Sequence, residues 1–184
     1  MPDFLGAFYF YKQEVLKTRE GDDVSIEVCE VGSLIVTSGR IVACDGLIPS
    51  TETFVETIQP GAYPVVLSIA LFYDETPVIA CAMLRLKDEM PSGWKLAITY
   101  NQNEVIKQED EIVGYGVDSG SGCFADLEAM KTLIGSANVY NCLQEEVSQS
   151  GMKMVDFPLD PLSSSNVIVF SSGYGDGTYP TYVG

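Results

Sequence analysis

The sequence predicts an α+β domain: mostly antiparallel β-sheet, arranged as a curled sheet or sandwich, with two or three short helices. Three observations carry that prediction. Apolar residues recur with period two at Val24, Ile26 and Val28, the alternation of a half-buried strand. Runs of strand-forming residues are punctuated by Ser38-Gly39, Pro60-Gly61 and Pro91-Ser92-Gly93, which are turn signals. Helical spacing is concentrated between residues 126 and 151. A chain of 184 residues with 46% hydrophobic content is long enough for one domain with a real core, and no Pro/Gly/Ser-rich linker divides it. We therefore expect a single domain over 1–184, with an N-terminal helical extension over 1–23 and a β-rich core over 24–184.

Taken in order, the chain opens with Asp3 placed to cap a helix whose apolar positions are Phe4, Phe8, Tyr11 and Val15. Lys17 and Arg19 follow where positive charge suits the macrodipole, although Phe8-Tyr9-Phe10-Tyr11 suits a strand equally. Leu34-Ile35-Val36-Thr37 and Arg40-Ile41-Val42-Ala43-Cys44, joined by Ser38-Gly39, read as a β-hairpin. The apolar run Val65-Val66-Leu67-Ser68-Ile69-Ala70-Leu71 and the segment over 77–86 read as a central strand pair covered on both faces. Trp94, the only tryptophan, falls in a strand over 94–100 and is expected in the core. Residues 101–111 are acid-rich and read as a solvated loop or short helix. Asp126 is placed to cap a helix over 127–134, and Asn141 with Gln144 resembles a capping box for a second helix ending near Gly151. A last strand is expected over 167–170.

Composition prunes chemistry more than it suggests any. The 26 acidic and 10 basic residues give a formal charge of −16, and the acids are spread along the chain. Nucleic acid and anionic membrane both require a basic face, so neither is an expected partner. An acidic surface that docks a basic protein is the partner reading that remains. No histidine is present, which excludes a Ser-His-Asp triad, a Cys-His dyad and a His-liganded zinc. The five cysteines, Cys29, Cys44, Cys81, Cys123 and Cys142, include no C-x-x-C pair, and four of them read as buried free thiols of a reducing compartment. With no signal-peptide pattern and no apolar run of membrane length, a cytoplasmic location is expected.

Two segments place an aspartate among glycines and aromatics: Gly114-Tyr115-Gly116-Val117-Asp118-Ser119-Gly120-Ser121-Gly122-Cys123-Phe124-Ala125-Asp126 and Ser172-Gly173-Tyr174-Gly175-Asp176-Gly177-Thr178-Tyr179-Pro180. Alternating glycines imply shaped loops with accessible amides, and the two loops are expected to meet at one end of the domain. At these segments, and more weakly at Pro60-Gly61-Ala62-Tyr63-Pro64-Val65 and Ser38-Gly39-Arg40-Ile41-Val42-Ala43-Cys44-Asp45, the chain resembles a bacterial family of domains of unknown function, number 4241. The resemblance runs from about Val24 onward. It implies a fold and a site location and supplies no reaction.

Three chemistries follow from the residues. In the first, Asp118, Asp126 and Asp176 converge on a hard cation, Ca²⁺ or Mg²⁺, or on a small polar ligand, with Ser119 and Ser121 adding oxygens; Cys123 and Tyr174 complete the expected ligand-binding set. The plainer alternative has Asp118 and Asp176 holding turns and Asp126 capping a helix. In the second, Cys123, Ser119 or Ser121 is a nucleophile in a His-free hydrolase. Cys123 would have its thiol pKa lowered by the helix start that follows, and Asp118, Asp126, a lysine or Tyr115 would serve as base. In the third, the protein is a non-catalytic interaction protein, an immunity-type or regulatory partner of a basic protein. A nucleotide-binding loop is disfavoured, because neither segment carries a lysine or arginine and aspartate repels phosphate.

Overall fold

The computed structural model describes residues 14–17, 23–73, 76–101, 113–151, 154–160 and 164–184. In chain order its strands are β1 (Glu14–Lys17), β2 (Asp23–Val36), β3 (Ile41–Asp45), β4 (Gly61–Phe72), β5 (Val78–Leu84), β6 (Lys95–Leu96), β7 (Tyr115–Val117) and β8 (Ser121–Asp126). After the helices α1 (Leu127–Gly135) and α2 (Ala137–Gln149) come β9 (Met154–Pro158), β10 (Asn166–Ser171), β11 (Gly177–Tyr179) and β12 (Tyr182–Val183). One antiparallel sheet has the order β1-β2-β4-β5 and a second the order β3-β8-β10-β9, with the two-stranded ribbons β11-β7 and β12-β6 beside them. The expected α+β, mostly antiparallel architecture is the one observed. No helix among the described residues is long and apolar enough to cross a membrane.

Three layers result, because β3, β8 and β10 of the second sheet are apolar on both faces. Ile41 and Ala43 of β3, Phe124 of β8, and Ile168 and Phe170 of β10 pack against Leu34, Val36, Val65 and Leu67 of the first sheet. The alternate residues Val42, Cys44, Cys123, Ala125, Val167 and Val169 pack with Leu127, Met130 and Leu133 of α1 and Leu143 and Val147 of α2. Burying each such side chain is worth about 1.5–3 kcal/mol, so the all-buried β3 and β8 lie at the energetic centre of the domain.

A bulge lets β2 serve two cores. Glu30 pairs with Val66 and Gly32 with the adjoining Val65, leaving Val31 as an extra residue. Even-numbered residues therefore change face: Val24 and Ile26 pack with Ala70, whereas Leu34 and Val36 enter the inter-sheet core. Beyond the reach of β1, the buried Asn166 satisfies the free edge of β2, its Oδ1 accepting from Ile35 N–H at 2.9 Å and its Nδ2 donating to Ser33 O at 2.9 Å. Backbone groups shielded from water need such partners, and this one staples the two sheets.

Several expectations are corrected. Ser38-Gly39 is not a hairpin turn: β2 pairs with β4 and β3 with β8, and the dipeptide is the corner where the chain leaves one sheet for the other. The cause is Asp126, wholly buried, which accepts hydrogen bonds from Thr37 Oγ1 (2.9 Å), Ser38 N (2.9 Å) and Ser38 Oγ (2.6 Å). Gly39 turns the corner at φ 75°, where a Cβ would lie 2.5 Å from the carbonyl oxygen of Ile58. The pairing of β4 with β5 is as expected, but β5 is an edge strand and only half-buried. Trp94 is half-buried as well. The second helix starts at Ala137 with Ser136 as its cap, accepting from Val139 N–H; Asn141 lies inside it. The predicted N-terminal helical extension over 1–23 falls largely outside the described residues, and where these begin, Glu14–Lys17 is a strand paired with β2. The acid-rich segment from 102 to 111 also lies outside them. Of the five cysteines, only Cys44 and Cys123 are fully buried.

The corner makes a prediction. Asp126→Ala removes these three hydrogen bonds and a fourth, accepted from Glu128 N–H at the start of α1, and orphans their donors, so urea unfolding should show a loss of about 3 kcal/mol. A loss below about 1 kcal/mol would mean that the corner holds without this carboxylate.

Candidate functional site

The two glycine-aspartate segments are less loop than strand. Tyr115-Gly116-Val117 and Gly177-Thr178-Tyr179 form the ribbon β7-β11, with Tyr115 opposite Tyr179 and their rings 6.2 Å apart. Only Asp118-Ser119-Gly120 and 172–176 remain as turns, and Ser172 N–H donates to Gly120 O across them at 3.0 Å. The two segments do meet. Gly122 sits within β8 because its missing side chain makes room: a Cβ there would lie 2.7 Å from the Tyr115 hydroxyl and 3.1 Å from the Phe170 ring.

The group that organises this end is Asp45, at the last position of β3 and 3% exposed. Its Oδ1 accepts from Leu47 N (2.7 Å), Ile48 N (3.0 Å) and Ser119 Oγ (2.6 Å), and its Oδ2 from Asp118 N and Ser119 N, each at 2.8 Å. Ser119 Oγ also contacts the buried Ser121 Oγ at 2.7 Å. Burial acts to raise the carboxyl pKa, but the bonds from Ser119 Oγ and from the Asp118, Leu47 and Ser119 amides outweigh it and hold Asp45 below the usual carboxylate range. Asp126 behaves alike: burial is outweighed by Ser38, Thr37 and the Glu128 amide.

Against this frame lies a cavity of about 290 Å³. Cys44, Asp45, Ser50 and Glu52 line one side, Thr99 and Thr181 another, and Gly114, Tyr115, Gly116 and Asp118 the ribbon side. Thr99 Oγ1 donates to Glu52 Oε1. Among the described lining residues are three carboxylates and no lysine or arginine. Burial, reinforced by the nearby thiols, pushes the Tyr115 hydroxyl well above its ordinary pKa, so it stays a neutral donor.

The predicted site residues divide four ways. Asp118 lines the cavity. Ser119 and Ser121 are held in the Asp45 network, and Cys123 is fully buried beside Cys44. Tyr174 and Asp176 are solvent-exposed on the second turn, outside the lining. Asp126 closes the far end of β8, opposite Ile41 of β3, whereas the Asp118 amide reaches Asp45, four residues along that strand. The expected cation triad Asp118, Asp126 and Asp176 therefore does not converge, and among the described residues no three carboxylates or thiols cluster as a metal ion would require. Nor is Cys123 activated by a helix start: its hydrogen bond to Cys44, followed by burial, raises its pKa.

Residues 34–184 match the family described as Protein of unknown function (DUF4241). The chain belongs to this family. No curated protein and no solved structure matches it. The family segment starts inside β2 and contains both glycine-aspartate turns, Asp45 and the whole cavity lining. Asp45, Glu52 and Thr99 were missed as site residues. The one local signal for Asp45 is Asp45-Gly46 at a strand end, and that reports a turn and not its partners in the 118–119 turn.

Asp45 sets a pH dependence. Its folded pKa lies below the unfolded value of about 3.9, so its contribution is present above that value and is lost as pH falls through the folded pKa. Asp45→Asn should cost about 2–4 kcal/mol at pH 7 in denaturant unfolding. The gap to wild type should narrow as pH falls below about 4; a gap independent of pH would show that the carboxylate charge is not what holds the turn.

Proposed function

We propose that the protein binds a small polar ligand in the cavity between the ends of β3 and the β7-β11 ribbon, and that the ligand is rich in hydrogen-bond donors or carries positive charge. The carrying observation is the lining: among the described residues, Asp45, Glu52 and Asp118 are its charged side chains. A volume near 290 Å³ lies at the small end of ligand sites, about 300–1,000 Å³. Asp45 is already saturated by five donors, so Glu52 and Asp118 are the lining carboxylates that would orient a guest. A hard divalent cation fits less well, since the triad it would need is split between the two ends of β8. We place this function in the cytoplasm on the odd, widely spaced cysteines alone.

Thermal unfolding of EDTA-treated protein tests the reading, with a panel of small amines, polyols and amino acids and with Ca²⁺, Mg²⁺ and Mn²⁺ alone. A ligand at a hundredfold its Kd should stabilise the wild type by about 2.7 kcal/mol. Glu52→Gln or Asp118→Asn should remove most of that gain and leave the ligand-free midpoint nearly unchanged. A gain that survives both substitutions would place binding elsewhere. No gain with any compound would remove the cavity reading and turn attention to a basic protein partner for the acidic surface.

A further inference from the structure

Cys44 and Cys123 face each other directly across the β3-β8 pair, with Sγ atoms 3.5 Å apart. Opposed residues of an antiparallel pair have Cα separations of about 4.5–5.5 Å, inside the window of about 4.4–6.8 Å that a disulfide requires. Bond formation thus asks the sulfurs to close on one another and leaves the strands in place. The two thiols are not equivalent. Cys44 is among the residues lining the cavity and is 5% exposed, whereas Cys123 is 0% exposed. The hydrogen bond from Cys123 lowers the Cys44 pKa against the effect of burial, while Cys123 is held protonated.

We propose that Cys44 and Cys123 form a thiol–disulfide exchange site that reacts with low-molecular-weight disulfides, Cys44 as the attacking and Cys123 as the resolving thiol. Cys44, as thiolate, attacks one sulfur of the disulfide RSSR; the S–S bond of RSSR breaks and one RS⁻ leaves, taking up the proton that Cys44 has lost. Cys123 then gives up its proton and attacks Cys44 Sγ, the mixed bond breaks, and the second RS⁻ leaves and is protonated. The protein dithiol is oxidised to one disulfide and RSSR is reduced to two thiols. The site depends on the opposed thiols and not on what else the cavity binds.

The folded wild-type protein is treated with 2-hydroxyethyl disulfide, the remaining thiols are alkylated, and peptides are mapped by mass. Cys29 and Cys142, both exposed, serve as internal markers of general reactivity. The expected result is a Cys44–Cys123 cross-link with loss of two hydrogens, reversed by dithiothreitol, and a raised unfolding midpoint of the oxidised form, since the link closes a long loop in the unfolded chain. Cys123→Ser should instead accumulate the mixed disulfide at Cys44, and Cys44→Ser should leave Cys123 unmodified. The proposal is overturned if, in the wild type, Cys44 and Cys123 are recovered as free thiols under conditions that fully modify Cys29 and Cys142. It is also overturned if each carries a separate adduct without the link. Both decisive readings come from the wild type, so they stand if a variant fails to fold.

Discussion

The cavity end of the domain depends on a buried aspartate that stays ionised. Asp45 terminates β3 among apolar neighbours, and a carboxylate removed from water is costly unless donors surround it. Two of its five donors come from its own turn and three from the 118–119 turn. One charge thereby fixes the exit of β3, the turn before β8 and, through Ser119 and Ser121, the start of β8 itself. The ribbon β7-β11 and the cavity it borders inherit their position from this anchor.

Asp126 does the corresponding work at the other end of β8. It caps α1 through Glu128 N–H at 3.0 Å and gathers Thr37 and Ser38 at the sheet-to-sheet corner. The strand pair β3-β8 is thus clamped at both ends by saturated carboxylates and between them by side chains buried on both faces. The cross-strand contact of Cys44 with Cys123 lies between these two clamps.

What could be read from the sequence divides by the distance over which each signal acts. The strand periods, the cap at Asp126 and the meeting of the two glycine-aspartate segments were legible, because each is written in a few adjacent residues. Ser38-Gly39 was misread because a local hairpin signal competes with a partner 88 residues away, at Asp126. Asp45 was missed as a site residue for the same reason, its decisive donors lying 73 and 74 residues on. The start of α2 is a different case. Ser136 and Asn141 both resemble caps, and Ser136 wins because it serves two helices, its N–H closing α1 on Leu133 O while its hydroxyl opens α2. The split of the aspartate triad was invisible because glycine-rich sequence between Asp118 and Asp126 reads as loop, whereas Ser121–Asp126 is an extended strand that carries its two ends apart.

The same geometry weighs on whether the site performs hydrolysis. Ser119 Oγ, 2.6 Å from Asp45 Oδ1, has the outline of a nucleophile with a carboxylate beside it. A general base must hold the proton it takes, and its efficiency is greatest when its pKa lies near the working pH. Asp45 is displaced in the opposite direction by the donors that make it a structural anchor, and a proton moved onto it would break the contacts that shape the turn. Tyr115, pushed upward, is a donor and not a base. The remaining carboxylates of the cavity, Glu52 and Asp118, line it, while the serine that resembles a nucleophile is committed to the frame. That commitment of Ser119 argues for the proposed binding reading over a hydrolytic one.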